Sequence, residues 1–239
     1  MKNLIIGLGT GRCGTTSLAH LLNSQPDSTF VHEGLFSGKK YDHFLLPWEV
    51  DHSKFLEWEK KIKNLDGKYF GESASYLIQY VEIIIKKYPQ VKFVCLKRDR
   101  NEVISSFMNK TRGRNHWSLN PSFLEFKDPI WDPIFPKFFA SKKEGIGLYW
   151  DSYYAEAYRL QEKYPNNFKI FPTYFLNYQG GMNSIFDFCS FPEEGRVYIR
   201  KHENKKKIKD QVSSVITPIK TFLKKGLNNP CAISMIAMI

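Results

Sequence analysis

The chain has only four cysteines in 239 residues, Cys13, Cys95, Cys189 and Cys231, and none stands in a CxxC pair or at a zinc-like spacing from histidine. That argues against a disulfide framework and a structural metal, so a reduced, cytoplasmic setting without a metal is expected. No apolar run approaches the roughly 18 residues that a membrane span needs. The N-terminal apolar run is only LIIGL and leads straight into a glycine turn, so no signal peptide is expected. No internal repeat and no linker divide the sequence, and 239 residues suffice for one good-sized core, so a single domain over 1–239 is the default. Acidic residues are the scarcer charge, 24 against 35 basic ones, for a net +11. The excess suits an anionic partner: nucleic acid, an acidic lipid surface or a multiply phosphorylated small molecule. Much of it is local, in RKHENKKKIKD and TFLKKG within the last forty residues, and no RNA- or DNA-binding motif accompanies it, so nucleic acid is not expected. The apolar tail at 229–239 has no role that its composition assigns.

What is present alternates strand with helix. NLIIGL (3–8), STFVHE (28–33), KYFGES (68–73), VKFVCLKR (91–98) and FKIFPT (168–173) read as strands. Helices are expected over 15–24, 51–65, 76–88, 100–111 and 146–163, the second capped by Asp51 or Ser53, with Phe55, Leu56, Trp58 and Ile62 as its apolar face. This order predicts an α/β domain with a central parallel sheet flanked by helices. Residues 111–145 lack periodicity and hold four prolines, which reads as a functional loop or lid on the acceptor side. Its Trp117, Trp131, Phe135, Phe138 and Phe139 are candidates for stacking on a sugar or an apolar body.

The stretch GLGTGRCGTTSL, Gly7 to Leu18, joins the first strand to the first helix and has the form of a phosphate-binding turn. A nucleotide kinase or NTPase needs Lys after the last glycine, and Thr15 stands there instead. A dinucleotide-binding protein fits Gly9, Gly11 and Gly14 literally, and Glu33, nineteen residues after Gly14, sits where a ribose-binding acid would. Against it, Arg12, Thr15, Thr16 and Ser17 fill the turn with phosphate ligands that such a fingerprint does not need.

A second stretch, VCLKRDRNEVISSF, ends a strand in Arg98 and places Ser106 eight residues later on the next helix. Together the two stretches resemble the sulfotransferase family that takes its sulfuryl group from 3′-phosphoadenosine 5′-phosphosulfate (PAPS). The family's Lys/Arg-x-Gly-Thr-Thr turn is matched by Arg12-Cys13-Gly14-Thr15-Thr16, followed by Ser17, and its later Arg/Ser pair by Arg98 and Ser106. The resemblance covers roughly residues 3–110 and is closest to the bacterial and carbohydrate-modifying branch. It implies a P-loop-like fold, no metal, the 5′-phosphosulfate at residues 12–17 and the 3′-phosphate at Arg98 and Ser106. Arg200 and Lys201 lie where many members return a basic segment to the 3′-phosphate.

The physics agrees with a ligand that is anionic at two ends: amides of Gly14, Thr15 and Thr16 at a helix N-terminus favour negative charge, Arg12 can meet charge developing on the departing oxygen, and Arg98 can grip a phosphate bidentately. Transfer to a hydroxyl or amine of an acceptor, carbohydrate or small molecule, also needs a base. His32 and Glu33 are the candidates; strand alternation would turn only one of them to the cleft, and the resemblance favours Glu33. In GESASYL, Glu72 stands where the branch has lysine, and reads as a second acid, a site for a cationic acceptor or a buried carboxylate. The arginines and His116 of KTRGRNHW read as an exposed basic loop or a grip on the ligand. Cys13, at a helix N-terminus, would have a lowered pKa, although a filler role suits it better than a nucleophile. A binder of nucleotides or polyanions that has lost its base is the reading from a different class.

Overall fold

In a computed structural model, residues 2–39 and 42–199 are described; Arg200, Lys201, the basic run after them and the apolar tail lie outside the described residues. Five short apolar runs pair as one parallel sheet, β1 (Asn3–Leu8), β2 (Ser28–His32), β3 (Tyr69–Ser73), β4 (Lys92–Lys97) and β5 (Phe168–Pro172), in the order β2-β3-β1-β4-β5. From β1 the chain goes to the edge strand β2, returns inward to β3 beside β1, and then crosses over β1 to β4 on the other side. The carboxyl ends of β1 and β4 therefore flank the point where the direction of winding reverses, the place where open α/β sheets form a crevice for ligands.

Both faces of the sheet are covered, which is why β1 and β4 read as continuous apolar runs. Leu4, Ile6, Leu8, Phe93 and Cys95 point into one core, while Ile5, Val94 and Leu96 point into the other. The first core includes residues of α2 (His52–Lys63), α3 (Val81–Lys87), α4 (Arg100–Lys110) and α5 (Lys142–Lys163). The second includes residues of α1 (Thr15–Asn23) and α6 (Gln179–Phe188). Fully burying one large apolar side chain is worth about 1.5–3 kcal/mol, so the alternation of β1 and β4 fixes their registers firmly.

The structure departs from the sequence reading in four places. Residues 76–88 are not one helix: a 3₁₀ turn spans Ser75–Tyr80 before α3, and its tight winding carries Tyr76 to the Glu72 carboxylate and Tyr80 to the Pro47 carbonyl. The last long helix begins at 142 rather than 146, because Ser141 caps it by accepting the Glu144 amide. Asp51 caps α2, whose Leu56 is half exposed rather than part of the apolar face. In the 111–145 loop, Trp117 and Phe135 are buried against Phe107 and are core residues, not ligand-stacking groups. The loop's exposed aromatics are Phe123, Phe126 and Phe139.

Candidate active site

After β1 the backbone enters a run of left-handed residues: Gly9 at φ 148°, Gly11 at 77°, Arg12 at 59° and Gly14 at 96°. Arg12 occupies this region without being glycine, at a cost of about 1–2 kcal/mol. The turn is held from beneath. The Gly9 amide donates to the Tyr153 hydroxyl (2.9 Å), Tyr149 donates to the Thr10 carbonyl (2.9 Å) and Thr173 to the Cys13 carbonyl (2.8 Å). The glycines are needed for this fit, since a Cβ on Gly9 would lie 2.2 Å from the Cys13 sulfur. Cys13 is wholly buried, and burial pushes its thiol up to about 11, which reverses the lowered pKa expected from its helix N-terminus. Its side chain is filler under the turn, so only its backbone remains as a candidate ligand.

The other side of the turn is built to receive charge. Gly14 begins α1 with no side-chain cap and no acid in the first turn, whereas α2, α4 and α5 are capped by Asp51, Asp99 and Ser141. The amides of Gly14, Thr15 and Thr16 have no acceptor within the helix, and its dipole favours an anion there. The hydroxyls of Thr15 and Thr16 each lie 3.2 Å from Nε2 of His32 at the end of β2. Ser17 follows in the same first turn and is half-buried.

Arg12, Arg98 and Ser106 come together although they are far apart in sequence. Arg12 Nε donates to the Ser106 hydroxyl (3.1 Å), and Arg98 Nη1 donates to the Arg12 carbonyl (3.0 Å). Arg98 also donates to Glu102 one turn along α4 (2.6 Å). Ser106 thus touches Arg12 rather than Arg98, a closer coupling of the two stretches than their spacing implied. Burial lowers the Arg12 pKa, with Arg98 adding to the lowering and Glu33 opposing it. Beside Arg98 opens a cavity of about 620 Å³, lined by Lys97, Trp150, Tyr158 and Tyr174 among others.

His32 and Glu33 both reach the site. The chain leaves the extended conformation at Glu33, whose φ is 48°, so strand alternation stops there and cannot turn one of the pair away. His32 Nδ1 lies 3.7 Å from the Glu33 carboxylate. Burial drives the His32 pKa down to about 4, aided by His20 and His43, which leaves a neutral imidazole. Burial raises the Glu33 carboxyl to about 7, against the pull of His43, Arg12 and Lys110. A carboxyl titrating there is well matched to taking a proton near neutral pH.

Glu72 does not face an acceptor. It is completely buried, and its carboxylate accepts from Tyr76 (2.5 Å), Trp58 (2.5 Å) and the Gly34 amide (2.7 Å). His116 is likewise buried, 3.4 Å from Asp132, and is not part of an exposed basic loop, whereas Arg114 is exposed and pairs with Asp128. His43, which donates from Nδ1 to the Glu33 carbonyl (2.6 Å) and meets the Trp131 ring edge-on, had no signal in the sequence. The supporting tyrosines did have one: Tyr149 and Tyr153 stand four apart, on one face of α5.

A family model described as a sulfotransferase domain matches residues 4–167. The chain belongs to the sulfotransferase domain family. Among solved structures, this sulfotransferase is similar to the crystal structure of a sulfotransferase from Alicyclobacillus acidocaldarius. The TM-score is 0.51 at 17% identity, over 91% of this chain and 92% of that one, which shows a shared fold. No curated protein matches it. The matched segment contains the glycine turn, Glu33, Arg98 and Ser106, and the family assigns the enzyme to sulfuryl transfer, with a sulfonate donor and an acceptor. No helix among the described residues is long and apolar enough to cross a membrane.

Proposed function

We propose that this sulfotransferase moves the sulfuryl group of PAPS to a hydroxyl or amine of a carbohydrate or small-molecule acceptor by in-line attack. The observation that carries the reading is the Arg12–Ser106 contact together with the Arg98 bond to the Arg12 carbonyl. They link an uncapped helix N-terminus after β1 to a second cationic centre after β4, as a donor anionic at two ends requires.

On this reading the amides of Gly14, Thr15 and Thr16, the backbone of Cys13 and the hydroxyls of Thr15, Thr16 and Ser17 hold the 5′-phosphosulfate. Arg98 and Ser106 take the 3′-phosphate, joined by Arg200 and Lys201, and the cavity beside Arg98 offers room for the nucleoside. The acceptor oxygen or nitrogen forms a bond to sulfur as the bond from sulfur to the bridging phosphate oxygen breaks. Glu33 receives the acceptor's proton, and Arg12 meets the negative charge left on the bridging oxygen. A preorganised donor of this kind is worth about 3–4 kcal/mol in the transition state. His32, held neutral, fixes the threonine hydroxyls and is the alternative proton acceptor. The loop at 111–145 forms the acceptor side, and no metal takes part.

Isothermal titration with the product nucleotide, 3′-phosphoadenosine 5′-phosphate, tests the donor assignment: binding is expected for the wild type and weakened in Arg12→Ala and Arg98→Ala. Binding of ATP or NADH with no heat from the product nucleotide refutes it. A binder that had lost its base would bind the product nucleotide equally well in Glu33→Gln and show no turnover in the wild type.

A further inference from the structure

We infer that Glu72 is a positioning residue for the base: its buried carboxylate clamps the Gly34 amide and so fixes the left-handed turn that aims Glu33 at the phosphate loop. This inference rests on the assignment of Glu33 as base.

The turn after β2 is unusual in having two successive left-handed residues, Glu33 at φ 48° and Gly34 at 71°, the first of them not glycine. Such a conformation persists only where its surroundings over-determine it. Four contacts do so here. The Glu33 amide donates to the Ser73 carbonyl (3.2 Å) and the Glu33 carbonyl accepts from His43 (2.6 Å). The Gly34 carbonyl accepts from the Phe44 amide (3.0 Å), and the Gly34 amide donates to Glu72 Oε1 (2.7 Å). Only the last of these contacts uses an ionisable side chain from the neighbouring strand. Glu72 stands on β3 opposite Val31 of β2, so it reaches the turn along the sheet edge. Its other donors, Trp58 from α2 and Tyr76 from the 3₁₀ turn, come from separate elements and hold the carboxylate in one orientation. Burial raises its carboxyl to about 7, and the three N–H and O–H donors around it oppose that rise by favouring the ionised form.

Glu72 also acts on Glu33 through charge. The groups facing Glu33 are Arg12 from the glycine turn, His32 from β2, His43 from the following segment and Lys110 from α4. Against these, Glu72 is a like charge, and the two carboxylates repel each other. Neutralising Glu72 therefore makes Glu33 a weaker base as well as a looser one.

The test compares Glu72→Gln, Tyr76→Phe and Glu33→Gln with the wild type, measuring kcat and KM against pH alongside titration with the product nucleotide. In Glu72→Gln, kcat is expected to fall by about tenfold or more, since a displacement near 1 Å at a reacting group costs on the order of a hundredfold. Its acid limb should move to lower pH, with product-nucleotide affinity within about twofold of wild type. Tyr76→Phe removes one donor that steadies the carboxylate but keeps its bond to Gly34, so it should lower kcat less than Glu72→Gln does, and product-nucleotide affinity near wild type shows that Glu72→Gln is folded. If Glu72→Gln keeps wild-type kcat, or loses kcat without moving the acid limb, the positioning role is overturned. If Glu33→Gln itself keeps turnover, the base assignment fails and takes this inference with it, whereas product-nucleotide binding reports on the donor site independently of both.

Discussion

Replacing Glu33 by glutamine removes a carboxyl whose ionisation the fold opposes, and the consequence is measurable as stability without any substrate. Burial raises this group from the usual 4.5 to about 7. At 1.36 kcal/mol per pH unit, the ionised form is disfavoured in the folded protein by about 3 kcal/mol. The sign follows from proton binding. Below pH 4.5 the group is protonated in both states, and its contribution to stability is fully present. As pH rises through 7 the unfolded chain has already released its proton while the folded chain still holds it, so stability is lost. Glu72, also raised to about 7 by burial, acts in the same direction. His32, depressed to about 4, acts in the opposite one, its contribution being lost as pH falls from 6.5. The wild-type profile mixes the three, but the difference between wild type and Glu33→Gln cancels His32 and leaves Glu33 together with the relief of its repulsion on Glu72, which acts in the same direction. Urea unfolding of both proteins between pH 4.5 and 8 should show the variant gaining on the wild type as pH rises. Because the Glu33 side chain is 26% exposed and faces several cations, about 2–3 kcal/mol is the expected gain. A constant offset between the two proteins across that range would refute the reasoning.

Arg12→Ala removes the bond to Ser106 and the charge at the turn; titration should show product-nucleotide affinity down by about tenfold or more, as expected for loss of a charged hydrogen bond of about 1.5–3 kcal/mol. Tyr153→Phe deletes the hydroxyl that accepts from Gly9 and donates to Ser75; it should lower unfolding stability by about 1–3 kcal/mol through the groups left unpaired, read by urea denaturation. Trp117→Ala should cost about 3–5 kcal/mol of stability as a core residue, while Phe123→Ala, almost fully exposed, should stay within about 0.5 kcal/mol of wild type. Cys13 should resist iodoacetamide at pH 7.5 in the folded protein and react only on unfolding, since its thiol is buried and pushed up to about 11; rapid alkylation of the native enzyme would contradict the packing described.

The glycine turn, the two cationic stretches and the alternation of strands and helices were legible because each is local. Left-handed turns need glycine within a few residues, and strand ends and helix starts carry their own signals, as Asp51 does for α2. Assignments that depend on environment were less legible. Trp117 and His116 look the same in sequence whether they face water or core, and only the packing of Phe107 and Phe135 buries them. Strand alternation predicted that one of His32 and Glu33 would turn away, a rule that holds only while the backbone stays extended, and it stops at Glu33.

The sequence by itself determined the α/β order, the glycine turn at residues 9–14 with its basic and hydroxyl residues, and the pairing of that turn with the stretch at 98–106, because charge, glycine and hydrophobic period are properties of neighbouring residues. The tertiary structure decided what those residues touch. It set Arg12 on Ser106, put Cys13 out of reach beneath the turn, and brought His43 and Glu72 to the turn at Glu33 and Gly34. Those contacts join segments tens of residues apart, and the same burial that creates them resets the proton affinities of Glu33, His32 and Cys13. Distance in space and exclusion of water are quantities that a linear order of residues does not contain.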